Sequence, residues 1–483
     1  MLHSIIDEAR IALGGIRDFS RGFASPTLRL GVTGLARSGK TVFITALVHN
    51  LIHGGRLPLL SAYARGRIAR AYLEPQPDFE LPRFAYESHL DALTSKNRHW
   101  PESTKRLSEL RLTIEYMGEG LFTRDGVPRW LSVDIIDYPG EWLLDLPLMQ
   151  LSYAEWSAAT IAASRKPPRT AFAKPFHDYL ASLDPAARQD EMKAVTASEL
   201  FTAYLSRCRA DDVALSTLPP GRFLMPGDLA GSPLLTFAPL DIKPGAEPRR
   251  GSLFALMQRR YNAYVAHVVK PFFINYFARL DRQIVLIDAL SAMNARRAAV
   301  ADLKAGLTAI LSIYRQGSNS WASQILGRRI DRILFAATKA DQLHHSSHDR
   351  LEAIMRILIK EAAARAEFRG ARVDISALAA IRATREAIVK QRGDELPCIV
   401  GIPENGERIG SSDFDGETEA AVFPGDLPED PADAVKGLLQ SKVHFVRFRP
   451  PLIKPANELG LGPSFPHIRL DRALEFLIGD RLR

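Results

Sequence analysis

Apolar and polar positions alternate over residues 27–33 (TLRLGVT) up to a glycine-rich turn, after which the apolar spacing becomes helical over 41–52. The pattern predicts strand, loop, helix. No clean strand pattern follows until Leu107, so 54–104, rich in Arg, Pro and Tyr, is expected to be an elaborated, partly helical connection. Leu110, Leu112, Ile114 and Tyr116 then alternate with polar residues, a Gly- and Asp-rich turn intervenes, and 130–136 completes an expected hairpin. Residues 141–280 read as mainly helical, broken by proline clusters. Nearly all-apolar runs at 283–288 and 330–337 have the character of strands buried on both faces of a parallel sheet, and 373–378 supplies a further strand end. Helices are expected at 299–314, 320–328, 351–368 and 468–478. Residues 386–465, rich in Gly, Pro and Asp, suggest short strands, notably at 443–448.

The fold expected is therefore α/β: a doubly wound, mostly parallel sheet with a helical insertion and a β-rich C-terminal appendage. The corresponding segments are an N-terminal amphipathic stretch (1–26), the two parts of the domain that carries the main sheet (27–140 and 281–385), the insertion (141–280) and the appendage with a closing helix (386–483). In the first segment Leu2, Ile5, Ile6, Ala9 and Leu13 approximate one apolar face, suited to docking on the protein's own core or to contact with a membrane surface or partner.

Composition narrows the class. The 483 residues are 46% hydrophobic and 24% charged, which excludes disorder over most of the length, and Cys208 and Cys398 are too few for a disulfide framework or a cysteine-rich zinc site. No apolar run approaches the length needed to span a bilayer, and Asp7, Glu8 and Arg10 interrupt any signal-peptide pattern. A cytoplasmic protein is expected, with peripheral contact at a membrane surface kept open. The 63 basic against 55 acidic residues give a net charge of +8, which favours anionic partners. Arg65, Arg67 and Arg70, near Tyr63 and Tyr72, carry no RNA-binding signature, so a solvated or ion-paired face is expected there and no specific nucleic-acid partner.

Four segments carry phosphate and base chemistry. Gly34-Leu-Ala-Arg-Ser-Gly39-Lys40-Thr41 fits G-x-x-x-x-G-K-[ST] between a strand and a helix. In such a loop Gly34, Ala36, Arg37, Ser38, Gly39, Lys40, Thr41 and Val42 wrap a polyphosphate with backbone N–H groups, Lys40 neutralises the β- and γ-phosphates, and the Thr41 hydroxyl ligates Mg²⁺. Asp137-Tyr-Pro-Gly140 follows an apolar strand, where Asp137 can hold a Mg²⁺-bound water and the Gly140 N–H can face the γ-phosphate. Asp134, on the same strand, reads as structural or solvent-facing. Thr338-Lys339-Ala-Asp341 has the form [NT]-K-x-D; its carboxylate accepts from guanine N1–H and N2–H₂, a donor pair adenine lacks. Ser376-Ala377, at the next strand end, can present a backbone N–H to guanine O6. The nucleotide implied is GTP or GDP with Mg²⁺.

For hydrolysis, Lys40, Arg37, Glu141 and Thr104 are the candidate catalytic residues. Glu141 follows the Asp-x-x-Gly glycine, where a carboxylate can orient water; Arg37 can reach the transferred phosphoryl; Ser103 or Thr104 can close on Mg²⁺ and the γ-phosphate. The metal set is then Thr41, Thr104 and Asp137. His344, His345 and His348 give H-H-x-x-H, but no metalloprotease-type glutamate lies between them and Ser346-Ser347 suggests a loop, so metal binding is not expected.

With these motifs the chain resembles the YcjX-like P-loop NTPases of bacteria, relatives of the translation-factor-type GTPases. The resemblance spans nearly the whole length through GLARSGKT (34–41), HWPEST (99–104), DYPGEWLLDLPL (137–148), GRFLMPGDLAGSP (221–233), DRQIVLID (281–288), ILFAATKAD (333–341) and PHIRLDRALEFLIGDRLR (466–483). It implies a GTP-hydrolysing cytoplasmic protein, regulatory or associated with stress operons, whose gene often neighbours one for an inner-membrane protein, a candidate partner. Two other readings stay open: a nucleotide-gated membrane or partner adaptor with negligible hydrolysis, and an ATPase using the same loop.

Overall fold

The computed structural model describes residues 26–34, 37–102, 106–119, 128–210, 215, 217–295, 297–312, 330–368, 370–391, 393–409, 412–437, 443–453 and 464–483. The N-terminal amphipathic stretch, Ala36, Ser103, Thr104 and the helix expected at 320–328 lie outside the described residues. Strands β1 (Thr27–Gly34), β2 (Ile68–Glu74), β3 (Ser108–Met117), β4 (Pro128–Asp137), β5 (Arg282–Ile287), β6 (Arg332–Ala337) and β7 (Arg372–Ala377) form one seven-stranded sheet of order β2-β3-β4-β1-β5-β6-β7. β1 pairs in parallel with β4 and β5, and β5-β6 and β6-β7 are also parallel. β2, β3 and β4 pair antiparallel, so the expected hairpin forms one wing of the sheet.

Alternation along the strands feeds two cores. Leu28, Leu30, Val32, Ile284, Leu286, Leu334 and Ala336 face helix α1 (Lys40–Ile52) and the closing helix Leu470–Ile478. Ile136, Val285, Ile287, Ile333, Phe335 and Ile375 face the other side, where helix Arg297–Ser312, helix His348–Leu358 and the segment 141–280 share one continuous core with them. α1 is apolar around most of its circumference, as suits a helix enclosed on all sides. A fully buried Arg282 fastens the start of β5 to the chain's end through Asp331 and Asp480, at 3.0 and 2.5 Å.

Three local expectations need correction. The 54–104 connection contains an edge strand, β2; its sequence IARAYLE, with Arg70 near the middle, conceals it because an edge needs no apolar face on both sides and tolerates charge. Residues 443–448 do not form a strand: a single isolated bridge, Phe448 to Pro403, ties them just beyond the end of β9 (Asp394–Gly401), which pairs with β8 (Arg385–Gln391) and the strand Ala420–Val422 in a small three-stranded sheet. The helix expected at 351–368 is two helices, His348–Leu358 and Lys360–Phe368, separated at Ile359. Asp134 is buried, and Arg111 grips both its oxygens at 2.6 and 2.9 Å, a structural role. The tyrosine-flanked arginines pair as well, Arg70 with Glu115 at 2.7 Å, Arg65 with Glu119, and Arg67 with the Leu482 carbonyl at 2.6 Å. Among the described residues no helix is long and apolar enough to cross a membrane.

Candidate functional site

The ends of β1, β6 and β7 open on a cavity of about 260 Å³. Residues 37–43 form one wall; Thr338, Lys339, Asp341 and Gln342 form the opposite one, with Leu378–Ile381 and Ala383 beside them. Trp100 and Pro101 close one side, and Glu404, Arg447 and Phe448 roof it. Sequence segments nearly 300 residues apart thus face one another because parallel strands end on the same edge of a sheet.

At the first wall, Gly39 takes φ +81°, and the added Cβ of any other residue would be strained there; Arg37 holds φ +63° without that freedom. Lys339, on the opposite wall, also has positive φ, at +61°. A left-handed conformation costs a non-glycine residue about 1 kcal/mol, so two such residues lining one cavity mark where the backbone is shaped for something other than stability. Lys40 is buried and its Nζ donates to the Gly34 carbonyl at 3.2 Å. The Ser38 Oγ is buried with no hydrogen-bond partner among the described residues. Burial lowers the Arg37 pKa, and the guanidinium groups of Arg209 and Arg447 lower it further, against the opposing field of Asp288. Arg209 is itself paired with Glu141 at 3.0 Å and Arg447 with Glu407 at 2.6 Å, so Arg37, beside the buried Lys40, is the group whose desolvation and repulsion a polyanion would relieve. These features fit a bound polyphosphate.

For a hard cation the oxygen donors are Thr41 and Asp137, both buried. The Thr41 hydroxyl donates to the Glu102 carbonyl at 3.4 Å, which brings the 99–102 segment over the start of α1. Asp137 ends β4, in register with Val32 of β1. Hydroxyl and carboxylate oxygens are the donor chemistry Mg²⁺ takes, so this pair fits it.

Beyond Asp137, Gly140–Gln150 winds as a 3₁₀ run that is almost wholly buried against the insertion. The Trp142 indole N–H donates to the Met225 carbonyl at 3.0 Å and Arg222 lies over the Trp142 ring. Asp145 accepts from the Gly221 N–H at 2.6 Å and from the Tyr264 hydroxyl at 2.5 Å; burial nonetheless raises its pKa to about 6. Gly221 sits so close that a Cβ there would come within 2.1 Å of the Glu141 carbonyl oxygen. The Glu141 carboxylate, a sequence candidate for orienting water, pairs with Arg209 at 3.0 Å, from the last turn of the insertion helix Glu191–Arg209.

On the opposite wall the Asp341 carboxylate accepts from the Ala383 N–H at 2.9 Å, and its carbonyl accepts from the Thr384 hydroxyl at 2.6 Å. Burial raises its pKa to about 6, against the lowering effects of the Ala383 N–H and of Lys339 and Arg382. Lys339 donates to Asp288 at 2.5 Å. Ser376 and Ala377 are not on the cavity wall: the Ala377 N–H donates to Glu352 at 2.9 Å, and the wall is made by the next residues, Leu378–Ile381. Nothing in the sequence points to Arg209, Glu404, Arg447 or Phe448, which reach the site only through tertiary packing. Trp100 was within reach of sequence reasoning, since it stands in the HWPEST segment; its indole N–H donates to the Phe448 carbonyl at 2.6 Å.

A mostly parallel sheet with the G-x-x-x-x-G-K-T loop at the end of its central strand and T-K-x-D two strands away is consistent with a P-loop GTPase-like fold. The YcjX-like family, DUF463, matches residues 28–482, and the chain belongs to that family. It is 36% identical over 467 residues to a protein of Escherichia coli K12 named Ras-like GTPase YcjX, covering 94% of this chain and 96% of the relative. A Shewanella oneidensis protein of the same name is 36% identical over 486 residues, covering 94% of each.

Proposed function

We propose that this protein binds GTP in the cavity and hydrolyses it to GDP and phosphate with Mg²⁺, as a regulatory GTPase. The observation that carries the reading is the cavity itself, walled on one side by Arg37 to Thr41 and on the other by Thr338, Lys339 and Asp341. The names of the relatives support the same reading. Residues 27–140 and 281–385 make the nucleotide-binding unit; 141–280 and 386–483 are additions to it.

In this reading the backbone of residues 34–42 and Lys40 bind the phosphates, Asp341 accepts from guanine N1–H and N2–H₂, and the Lys339 stem lies along the base. The backbone beside guanine O6 is that of Leu378–Ile381 rather than Ser376-Ala377, whose amide is already engaged. Thr41, Asp137 and Thr104 are the residues that would hold Mg²⁺, which supplies charge neutralisation of the β- and γ-phosphates when bound. Arg37, which lines the cavity, and Arg209, whose field reaches it, would share the charge that develops on the transferred phosphoryl. Glu141 orients the attacking water once it leaves Arg209, and Gly140 senses the γ-phosphate through its N–H.

The Glu141–Arg209 pair also favours a second reading, a nucleotide-gated adaptor with slow intrinsic hydrolysis. While that pair holds, the water-orienting carboxylate is occupied, and the buried Gly140–Gln150 run couples the γ-phosphate to the insertion rather than to turnover. Competition among GTP, GDP and ATP for the purified protein, followed by single-turnover phosphate release with and without Mg²⁺, tests both. Preferred ATP binding rejects the guanine assignment; tight GTP binding without phosphate release selects the adaptor.

A further inference from the structure

Outside the cavity, one cluster brings metal-binding side chains together. His344 and His345 follow the T-K-x-D segment, and Glu386 stands at the start of β8. One ligand atom from each lies within 4.8 Å of the others. The two imidazole rings are 4.2 Å apart, centroid to centroid, and both turn toward the same carboxylate: His345 Nδ1 is 2.7 Å and His344 Nε2 4.0 Å from Glu386 Oε2.

Two of the three ligands, His344 and Glu386, are oriented by a further group, as in built metal sites. His344 Nδ1 lies 2.9 Å from the Ser346 hydroxyl and accepts the Ser346 N–H at 3.4 Å, so ligation through the outward Nε2 requires the tautomer whose Nδ1–H donates to that hydroxyl. Arg382 holds the other oxygen of Glu386, Oε1, at 3.2 Å and so aims Oε2 at the rings. Its charge opposes a cation, but that guanidinium is already paired with the carboxylate and one third exposed, which screens it. The His344 side chain is 10% exposed, Glu386 25% and His345 67%, so the cluster is rooted on one side and open to water on the other. His348, which the H-H-x-x-H spacing would pair with His344, does not join: its Nε2 lies 2.9 Å from the buried Ala340 carbonyl.

We propose that His344, His345 and Glu386 form a binding site for one zinc-class divalent ion. Two imidazoles and one carboxylate, with a water in the fourth position, is a common three-residue zinc set, and the nitrogen donors select against Mg²⁺ and Ca²⁺. Metal–ligand distances of about 2.0–2.2 Å place tetrahedral ligand atoms roughly 3.4 Å apart. The 2.7 and 4.0 Å separations bracket that value and the third lies within 4.8 Å, so rotations of His344 and His345 would close the site. The two segments it would join are the ones already tied at the cavity by Ala383 and Thr384 to Asp341. The ion would add a second tie between them, restraining the loop that carries Asp341.

The test uses the untagged full-length protein, stripped with a chelator and free of nucleotide, titrated with Zn²⁺ against a chromophoric competitor. One equivalent should bind with micromolar or tighter affinity, and His344→Gln or Glu386→Gln should each weaken it at least tenfold, while His99→Gln leaves it unchanged. Co²⁺ loaded into the parent protein should show the intense visible bands of a four- or five-coordinate site, a readout that needs no variant. Absence of stoichiometric Zn²⁺ binding, binding that survives both substitutions, or the faint bands of octahedral Co²⁺ overturns the proposal. Because nucleotide is absent throughout, the outcome does not depend on how the cavity is read.

Discussion

The two ends of the cavity are built on opposite electrostatic principles. At one end Lys40, Arg37, Arg209 and Arg447 concentrate positive charge around a loop whose Ser38 hydroxyl is buried with no partner among the described residues. At the other a single carboxylate, Asp341, is buried among backbone groups and its pKa is pushed up to about 6. Burial weighs on both ends, but like-charge repulsion adds to it only at the first, and each is relieved by a different part of one ligand. Affinity is therefore expected to come mainly from the cationic end and base selectivity from the carboxylate end.

The largest effect should come from Lys40→Ala, which removes the buried cation of the phosphate end. Affinity for GTP and GDP should fall a thousandfold or more, roughly 4 kcal/mol, with circular dichroism and melting temperature little changed. Undiminished binding to a folded variant would remove the phosphate-loop assignment.

Asp341→Asn sharpens the contrast at the base end. An amide offers a donor where guanine N2–H₂ also donates, so GTP affinity should drop a hundredfold or more, about 3 kcal/mol, while XTP, with a carbonyl there, gains. Equilibrium competition among GTP, XTP and ATP measures it; if the parent preferred ATP, Thr338 to Asp341 would be a loop after a strand and nothing more.

The ionisation of Asp341 gives a graded version of the same test. Its folded pKa lies above the unfolded value, so the native state binds more protons between about pH 4 and 6 and its stability contribution falls as pH rises through that window. Guanine's donors favour the ionised form. GTP affinity should thus weaken roughly tenfold from pH 7 to pH 5, as the ionised fraction drops from about nine tenths to about one tenth. The Asp341→Asn variant should lack this dependence, which titration calorimetry at several pH values resolves.

Glu141→Gln probes the junction between the cationic end and the insertion. It keeps a hydrogen-bonding group but cancels the charge facing Arg209. Single-turnover phosphate release should slow at least tenfold, about 1.4 kcal/mol, with nucleotide affinity nearly unchanged. Parental rates would leave Glu141 a purely structural partner of Arg209.

Smallest of all, Trp100→Phe deletes the indole N–H to the Phe448 carbonyl while keeping an aromatic wall. The loss of that one bond, about 1 kcal/mol, should loosen nucleotide binding several-fold. Stopped-flow dissociation should place the change in the off-rate, since it is a retention contact rather than a steering charge.

The sequence by itself determined the parts whose chemistry is local. The strand–loop–helix context of Gly34 to Thr41 is written in an alternating run, two glycines and a helical run, and the buried strands β5 and β6 announce themselves as unbroken apolar segments. The Asp-x-x-Gly and T-K-x-D segments were legible for the same reason: each is a short motif directly after such a strand. Tertiary structure alone decided what meets them. Arg209 arrives on a helix of the insertion, Arg447 and Phe448 on an irregular stretch far along the chain, and Glu386 on a strand that pairs elsewhere. The same holds for β2, whose charged residues are compatible with a sheet edge only once β3 is beside it, and for His344 and His348, which i,i+4 spacing would pair but which turn to Ser346 and Ala340. Periodicity reports which face of an element is buried; it carries no information about which distant side chain will lie opposite, because that depends on the order in which strands align at one sheet edge and on the loops that fold back over it.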